Sequence, residues 1–229
     1  MASILRAFAL LVICAPLWAA DLSALARFSD RDTATGLREA LGQGAARAVD
    51  LLGKQDGFLG NPKVKIPLPE VLQKAEPILR LTGQGAELDR LVTAMNRAAE
   101  AAVPEARSLL ANAVTQMTVE DAKKILTGGD DSVTQYFRRN TEGRLTELFL
   151  PVVKQNTDRL ALAGQYNALA GQAAGVGLLK SEDAQIESYV TRKALDGLYL
   201  MIAEEERAIR ANPVEAAGSW AKRIFGAIK

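Results

Sequence analysis

Apolar residues recur at three- and four-residue steps along most of this chain, the period of helices that bury one face. In Asp32–Leu52 the stripe is Ala34, Leu37, Leu41, Ala45, Ala48 and Leu52, with Glu39, Gln43 and Asp50 opposite. Asp32 suits the start of that helix and Gly53 its end. Ala86–Ala102 repeats the pattern through Leu88, Leu91, Val92, Met95, Ala98, Ala99 and Ala102. Pro104 opens a further helix to about Met117, and Thr118–Asp121 reads as a capping box with Asp in place of Glu. The short helix it starts ends at Gly128-Gly129. Asp130, Asp131 or Ser132 then caps a helix to about Asp158, with a bend before Pro151. A small-residue segment, Ala161–Gly177, leads to a cap at Ser181 and to the longest predicted helix, Glu182–Ala211, which Asn212-Pro213 stops. Val214–Ile228 is short and amphipathic.

One stretch breaks the period. Lys54–Pro69 holds Gly57, Gly60, Asn61-Pro62, Pro67 and Pro69, and Lys63–Ile66 alternates as an edge strand or an extended loop does. Pro69 suits the first turn of the helix that follows, in which Pro77 predicts a kink or a break. The expected fold class is therefore all-α. It is a single-domain bundle of about eight helices over residues 30–228, with one extended Pro/Gly-rich loop at residues 54–69. Only 5% of residues are aromatic, which favours helices packed through small side chains over a β-sandwich.

The first twenty residues follow a different logic. Arg6 precedes an apolar run from Ala7 to Ala15, and Ala19 and Ala20 follow as small residues. The run is too short to span a bilayer, so residues 1–20 read as a secretory signal peptide. Cutting after Ala19 places Leu17 three positions back, an imperfect site. Cys14 follows Ile13, which does not suit a lipoprotein signal. Removing this segment takes Lys plus Arg from 28 to 27, equal to the 27 acids. A neutral chain has no basic excess for phosphate backbones, so nucleic acid is not an expected partner. Cys14 is the only cysteine and leaves with the signal, so neither disulfides nor thiol chemistry are expected.

Four segments carry a resemblance. They are Phe58–Pro69 (FLGNPKVKIPLP), Met95–Glu100, Tyr136–Arg139 and Tyr189–Glu206 (YVTRKALDGLYLMIAEEE). Together they resemble the bacterial exported family called domain of unknown function 4197, from about Asp30 to Gly226. The resemblance implies an all-helical periplasmic protein of a Gram-negative bacterium, and it implies no activity.

The chain contains no histidine. Ser-His-Asp triads, His bases and His-ligated metals are excluded, and no metal or other cofactor is expected. Gly128–Asp131 lacks the alternating oxygens of a calcium loop and reads as a helix stop with N-capping acids. On the helix after Asp131 the inward stripe is Thr134, Thr141, Leu145, Leu148, Phe149 and Val152, and Arg138 lies on it while Tyr136 and Arg139 point away. A guanidinium aimed at a core needs a counter-charge. Glu205 falls within the stripe Val190, Ala194, Leu198, Met201, Ile202, Ala208 and Ile209, so an Arg138–Glu205 pair inside the bundle is expected. Asp196 lies on the other side with Arg192 and Lys193 as local partners. Asn96 and Glu100 sit one turn apart at their helix seam, able to join the same cluster, and Arg97 lies opposite, facing solvent or a partner.

The candidate polar cluster is therefore Arg138, Glu205, Asp196, Asn96 and Glu100, either an ion pair that sets helix register or a pocket for an anionic or polar ligand. Three functions remain open. The first is a non-catalytic periplasmic binding or scaffold protein, its partner a small molecule or a protein. The second is a carboxylate-dependent hydrolase or lyase using Glu205, Asp196 or Glu100. The third is a lipid or amphiphile carrier, which requires a wide apolar cavity. Val214–Ile228, with Lys222, Arg223 and Lys229, is an expected site of peripheral membrane contact or of packing on its own bundle.

Overall fold

The computed structural model describes residues 30–158, 160–175 and 184–211. The helices are α1 (Asp30–Leu52), α2 (Glu70–Leu81), α3 (Gly85–Ala102), α4 (Ala106–Gln116), α5 (Val119–Thr127), α6 (Ser132–Thr157), α7 (Ala161–Gly175) and α8 (Ile186–Ala211). A 3₁₀ turn, Val103–Glu105, joins α3 to α4. Among the described residues there is no strand, so the chain is all-α, as its periodicity predicts. The signal segment and Val214–Ile228 lie outside the described residues.

The core forms where α6 packs along α8 and α3, while α1 packs on α4 and α8. Phe137, Leu145, Phe149 and Val153 of α6 meet Val190, Ala194, Leu198 and Ile202 of α8 in one buried cluster with Leu88, Leu91 and Met95 of α3. Each large side chain so buried contributes about 1.5–3 kcal/mol. Ala34, Ala40, Ala45 and Ala48 are buried along α1, where small side chains allow close approach. Ideal Cβ geometry at Gly44 lies 3.5 Å from Glu205 Cβ of α8, which shows how near these helices run.

Prolines do not end the helices they enter. α2 continues through Pro77 and α6 through Pro151. Gln73 and Glu147, whose carbonyls lose a donor, are exposed residues, so water can take the place of the missing N–H.

Residues 53–69 form turns and extended backbone, not a strand. The loop turns inward all the same, with Phe58, Val64, Ile66 and Leu68 buried. Two glycines make this seat possible. A Cβ at Gly57 would stand 2.4 Å from the carbonyl oxygen of Leu52, and one at Gly197 of α8 would stand 2.7 Å from the Phe58 ring.

Several helix ends are satisfied by side chains from elsewhere in the fold. Arg38 of α1 donates from Nε and Nη2 to the Met117 carbonyl at the end of α4, at 3.1 and 2.5 Å. Asn167 of α7 accepts the Ile186 N–H at the start of α8 (2.8 Å). α8 thus begins at Ile186, four residues after the predicted Glu182. The capping box on α5 is local and matches its sequence. Thr118 Oγ1 accepts from Asp121 N, and the Asp121 carboxylate accepts from Thr118 N, both at 3.0 Å. Thr118→Ala is expected to cost about 1 kcal/mol in chemical denaturation. The bonds from Thr118 hold the Asp121 carboxyl below the usual carboxylate range. A lowered folded value means that this contribution is present above the unfolded pKa of about 4. It is lost as pH falls through the lower folded value, so wild type and Thr118→Ala should converge in stability at strongly acidic pH.

Candidate functional site

The residues singled out by sequence divide among separate places. Asn96 and Glu100 hold the loop. Asn96 Oδ1 accepts from Ile66 N at 2.8 Å, and Asn96 Nδ2 donates to Ile66 O at 2.9 Å and to Val92 O at 2.8 Å. The amide thereby offers Ile66 the donor and acceptor that a neighbouring strand would. One turn later, Glu100 Oε1 accepts from Phe58 N (3.0 Å) and Leu59 N (3.1 Å). Its other oxygen accepts from Arg97 Nη1 at 2.6 Å, and Arg97 Nη2 reaches Asp56 at 2.8 Å. Arg97 thus folds over Glu100 instead of standing alone in solvent or at a partner surface. Asp56 adopts φ 64°, which turns the loop into this clamp.

The expected Arg138–Glu205 pair does not form. Arg138 donates to Glu142 (2.8 Å) and to Asp196 (3.3 Å), and its guanidinium lies 4.6 Å over the ring of Tyr199. Its side chain is 39% exposed, so the stem covers the aromatic ring while the charge reaches water. Asp196 therefore pairs with Arg138 across helices instead of with Arg192 or Lys193. Glu205 turns toward α1, where Arg47 Nη1 lies 3.6 Å away. The reason is that the last turns of α8 lie against α1 as well as α6, so one stripe serves two neighbours. Beneath Arg138, Tyr199 shares a hydrogen bond with Thr141 (2.9 Å), and burial pushes its hydroxyl up to about 12. Arg138→Leu is expected to change stability by about 1 kcal/mol or less, since exposed pairs contribute little. A loss of about 3 kcal/mol in urea denaturation would instead indicate a buried charge pair. Tyr136 is a second correction. It is buried against α4 and donates to the Ala113 carbonyl at 2.8 Å.

The buried acid on this side is Glu206, 3% exposed. Its carboxylate accepts from Val133 N and Thr134 N at 3.3 Å and lies 3.4 Å from the hydroxyls of Ser132 and Thr134. It caps α6 from across the bundle, where a negative charge also suits the helix dipole. Of the three residues expected to cap this helix, Asp130, Asp131 and Ser132, it is Asp131 that takes the N-cap position, and it makes no side-chain capping bond and accepts from Gln135 instead. The signal for Glu206 was its position four residues after Ile202, as much on the stripe as Glu205.

A groove of about 550 Å³ opens where the end of the loop meets α2, α7 and α8. Pro67 and Pro69 form one rim, and Tyr166 and Tyr189 line the wall. Tyr189 is held by a hydrogen bond from its hydroxyl to the Pro67 carbonyl (3.1 Å). Arg192 and Lys193 lie 5.7 and 5.9 Å from the Tyr189 ring centre, within cation–π range. Lys74 joins them, and Glu70 is the one carboxylate among the described lining residues. Glu70 pairs with Lys74 at 2.7 Å, which holds its carboxyl below the usual range. The sequence places Arg192 and Lys193 on one side of their helix but has no means of bringing the loop and α7 to them.

The clamp and this groove define an all-α protein wrapped around an extended loop, with cations and tyrosines gathered where the loop ends. The chain belongs to the protein family of unknown function DUF4197, whose model matches residues 27–226. No curated protein and no solved structure matches it.

Proposed function

We propose that this is a non-catalytic periplasmic binding protein that takes a small polar ligand in the groove at Tyr166, Tyr189, Arg192 and Lys193. The observation that carries the reading is the convergence of three cations and two tyrosines on an open space of ligand size. Periplasmic export rests on the apolar run Ala7–Ala15 and the small residues after it, with residues 1–20 as signal peptide and residues 30–228 as one domain.

The carboxylate-enzyme reading has less support. Glu100 is occupied by two backbone N–H groups and Arg97, Asp196 by Arg138, and Glu205 sits near Arg47. Among the described residues no three acidic side chains gather as a metal cage. The carrier reading needs a wide apolar cavity, yet the apolar pocket beside Leu37, Leu41, Val133 and Ile209 holds only about 20 Å³. That is room for about one water.

The test is native mass spectrometry of the protein taken from periplasm, joined to a titration with inorganic phosphate followed by the ring signals of Tyr166 and Tyr189. A bound species, or phosphate-dependent ring shifts, is expected. Arg192→Gln with Lys193→Gln should weaken binding about ten- to hundredfold, the effect of losing one or two charge-assisted hydrogen bonds. An unliganded mass together with unmoved tyrosine signals would overturn the binding reading in favour of a scaffold.

A further inference from the structure

Asp56 is the one non-glycine residue among the described residues with a positive φ, at 64°. Asp tolerates the left-handed region better than most L-residues, but Gly and Asn fill such turns at less cost. Its carboxylate gives the reason for Asp here, since it accepts from Arg97 Nη2 at 2.8 Å and ties the loop to α3. That choice brings a reactive neighbour. Gly57 follows directly, in a turn where the Asp56 side chain is 56% exposed. In an Asp-Gly pair the side-chain carboxyl is open to attack by the next backbone nitrogen, because glycine has no Cβ to hinder the approach.

The reaction exchanges bonds within the chain. Gly57 N bonds to Asp56 Cγ, the C–OH bond of the neutral carboxyl breaks, and water leaves with the amide proton. The five-membered succinimide then takes up water. Attack at Cγ restores Asp, and attack at the main-chain carbonyl carbon yields isoaspartate, whose main chain runs through Cβ and Cγ. Water is the only co-reactant.

The fold holds this step back. Ring closure requires the peptide plane between Asp56 and Gly57 to rotate until the nitrogen faces Cγ, and the left-handed region sets that nitrogen on the far side of the Cα–C bond from Cβ. Gly57 N donates to Lys54 O at 3.0 Å, and Asp56 O accepts from Gly60 N at 3.1 Å, so the plane is pinned at both ends. Arg97 pins the carboxylate, and Glu100 steadies Arg97 at 2.6 Å. Nor is there room for the product. A Cβ at Gly57 would stand 2.6 Å from the Leu51 carbonyl oxygen, and one at Gly60 would stand 2.9 Å from Asp56 Cβ. A main chain one atom longer would displace Phe58 N and Leu59 N from Glu100.

We propose that Asp56–Gly57 is a modification site: a latent point of isomerisation to isoaspartate that the Arg97–Glu100 clamp keeps closed, and that releases the loop at residues 54–69 once it has reacted. This site stands apart from the groove and does not rest on its ligand.

The experiment incubates the protein taken from periplasm in heavy-oxygen water at neutral pH, folded and in urea, and follows the tryptic peptide Gln55–Lys63. Each passage through the ring leaves one heavy oxygen in the peptide, and electron-transfer fragmentation separates Asp from isoaspartate. Asn61 in the same peptide precedes Pro62, which has no N–H and cannot close a ring. Folded wild type should take up label about tenfold more slowly than the unfolded chain, or slower still. Arg97→Gln should raise the folded rate about fivefold, the effect of losing one exposed pair. Asn96→Ala should raise it about tenfold or more, because it frees the loop while the helices persist. Asp56→Glu, whose ring would have six members, should take up none. The isoaspartate form, separated by chromatography, should keep its helical circular dichroism and lose exchange protection at Phe58 and Leu59. Uptake as fast in the folded chain as in urea, or unmoved by both Arg97→Gln and Asn96→Ala, would overturn the protection. No label in urea, or label in Asp56→Glu, would overturn the chemistry. An isoaspartate form with Phe58 and Leu59 still protected would overturn the release.

Discussion

Asn96→Ala is expected to lower the free energy of unfolding by about 2–4 kcal/mol and to free the loop while the helices persist. The side chain gives Ile66 both of its backbone partners, at 2.8 and 2.9 Å, in a place closed to water. Ala leaves a buried N–H and a buried carbonyl unsatisfied, and each costs about 1–3 kcal/mol. The core apolar contacts of α3 through Leu88, Leu91 and Met95 do not involve this amide, so the bundle should keep its helical signal. The measurements are urea denaturation and amide hydrogen exchange at Phe58, Leu59 and Ile66. Exchange at Ile66 should rise most, and rise below the midpoint of global unfolding. A loss under about 0.5 kcal/mol with unchanged exchange would show that Phe58 and the other buried loop side chains hold the segment without the clamp.

Glu206→Ala should be of similar size, about 2–4 kcal/mol, and should act at the other end of α6. Its carboxylate meets two backbone N–H groups and two hydroxyls at the first turn of that helix. Removing it strands donors at a helix start and takes away a favourable charge, worth up to about 2 kcal/mol when partly buried. Glu206→Gln keeps one acceptor and should fall between wild type and Ala. Glu205→Ala serves as the control. Glu205 is half-buried and 3.6 Å from Arg47, an interaction expected to contribute about 1 kcal/mol or less. If the two alanine variants proved equally stable, the difference in burial between these neighbouring acids would carry no energetic weight.

Asn96 and Glu100 were legible as seam residues, because a polar pair one turn apart beside Leu91, Met95 and Ala99 has to meet something. Their partner was not legible. The sequence reading expected other side chains, whereas both bind the backbone of a loop about 30 to 40 residues earlier. Backbone groups carry no sequence signature, so no residue type could announce that match.

What the sequence by itself determined was local. The all-α class, the position of the irregular loop and the Thr118–Asp121 capping box follow from spacing within a few residues, because helix geometry repeats every 3.6 of them. The tertiary structure alone decided which charged groups go inside. Three consecutive acids, Glu204, Glu205 and Glu206, step about 100° apart around α8, and each meets a different neighbour: Lys63 of the loop, Arg47 of α1 and the start of α6. Periodicity names a face, but where several elements surround one helix only their placement settles which residue on that face is buried. The groove has the same origin, since its loop, α2, α7 and α8 residues are brought together by packing from positions spread between 67 and 193.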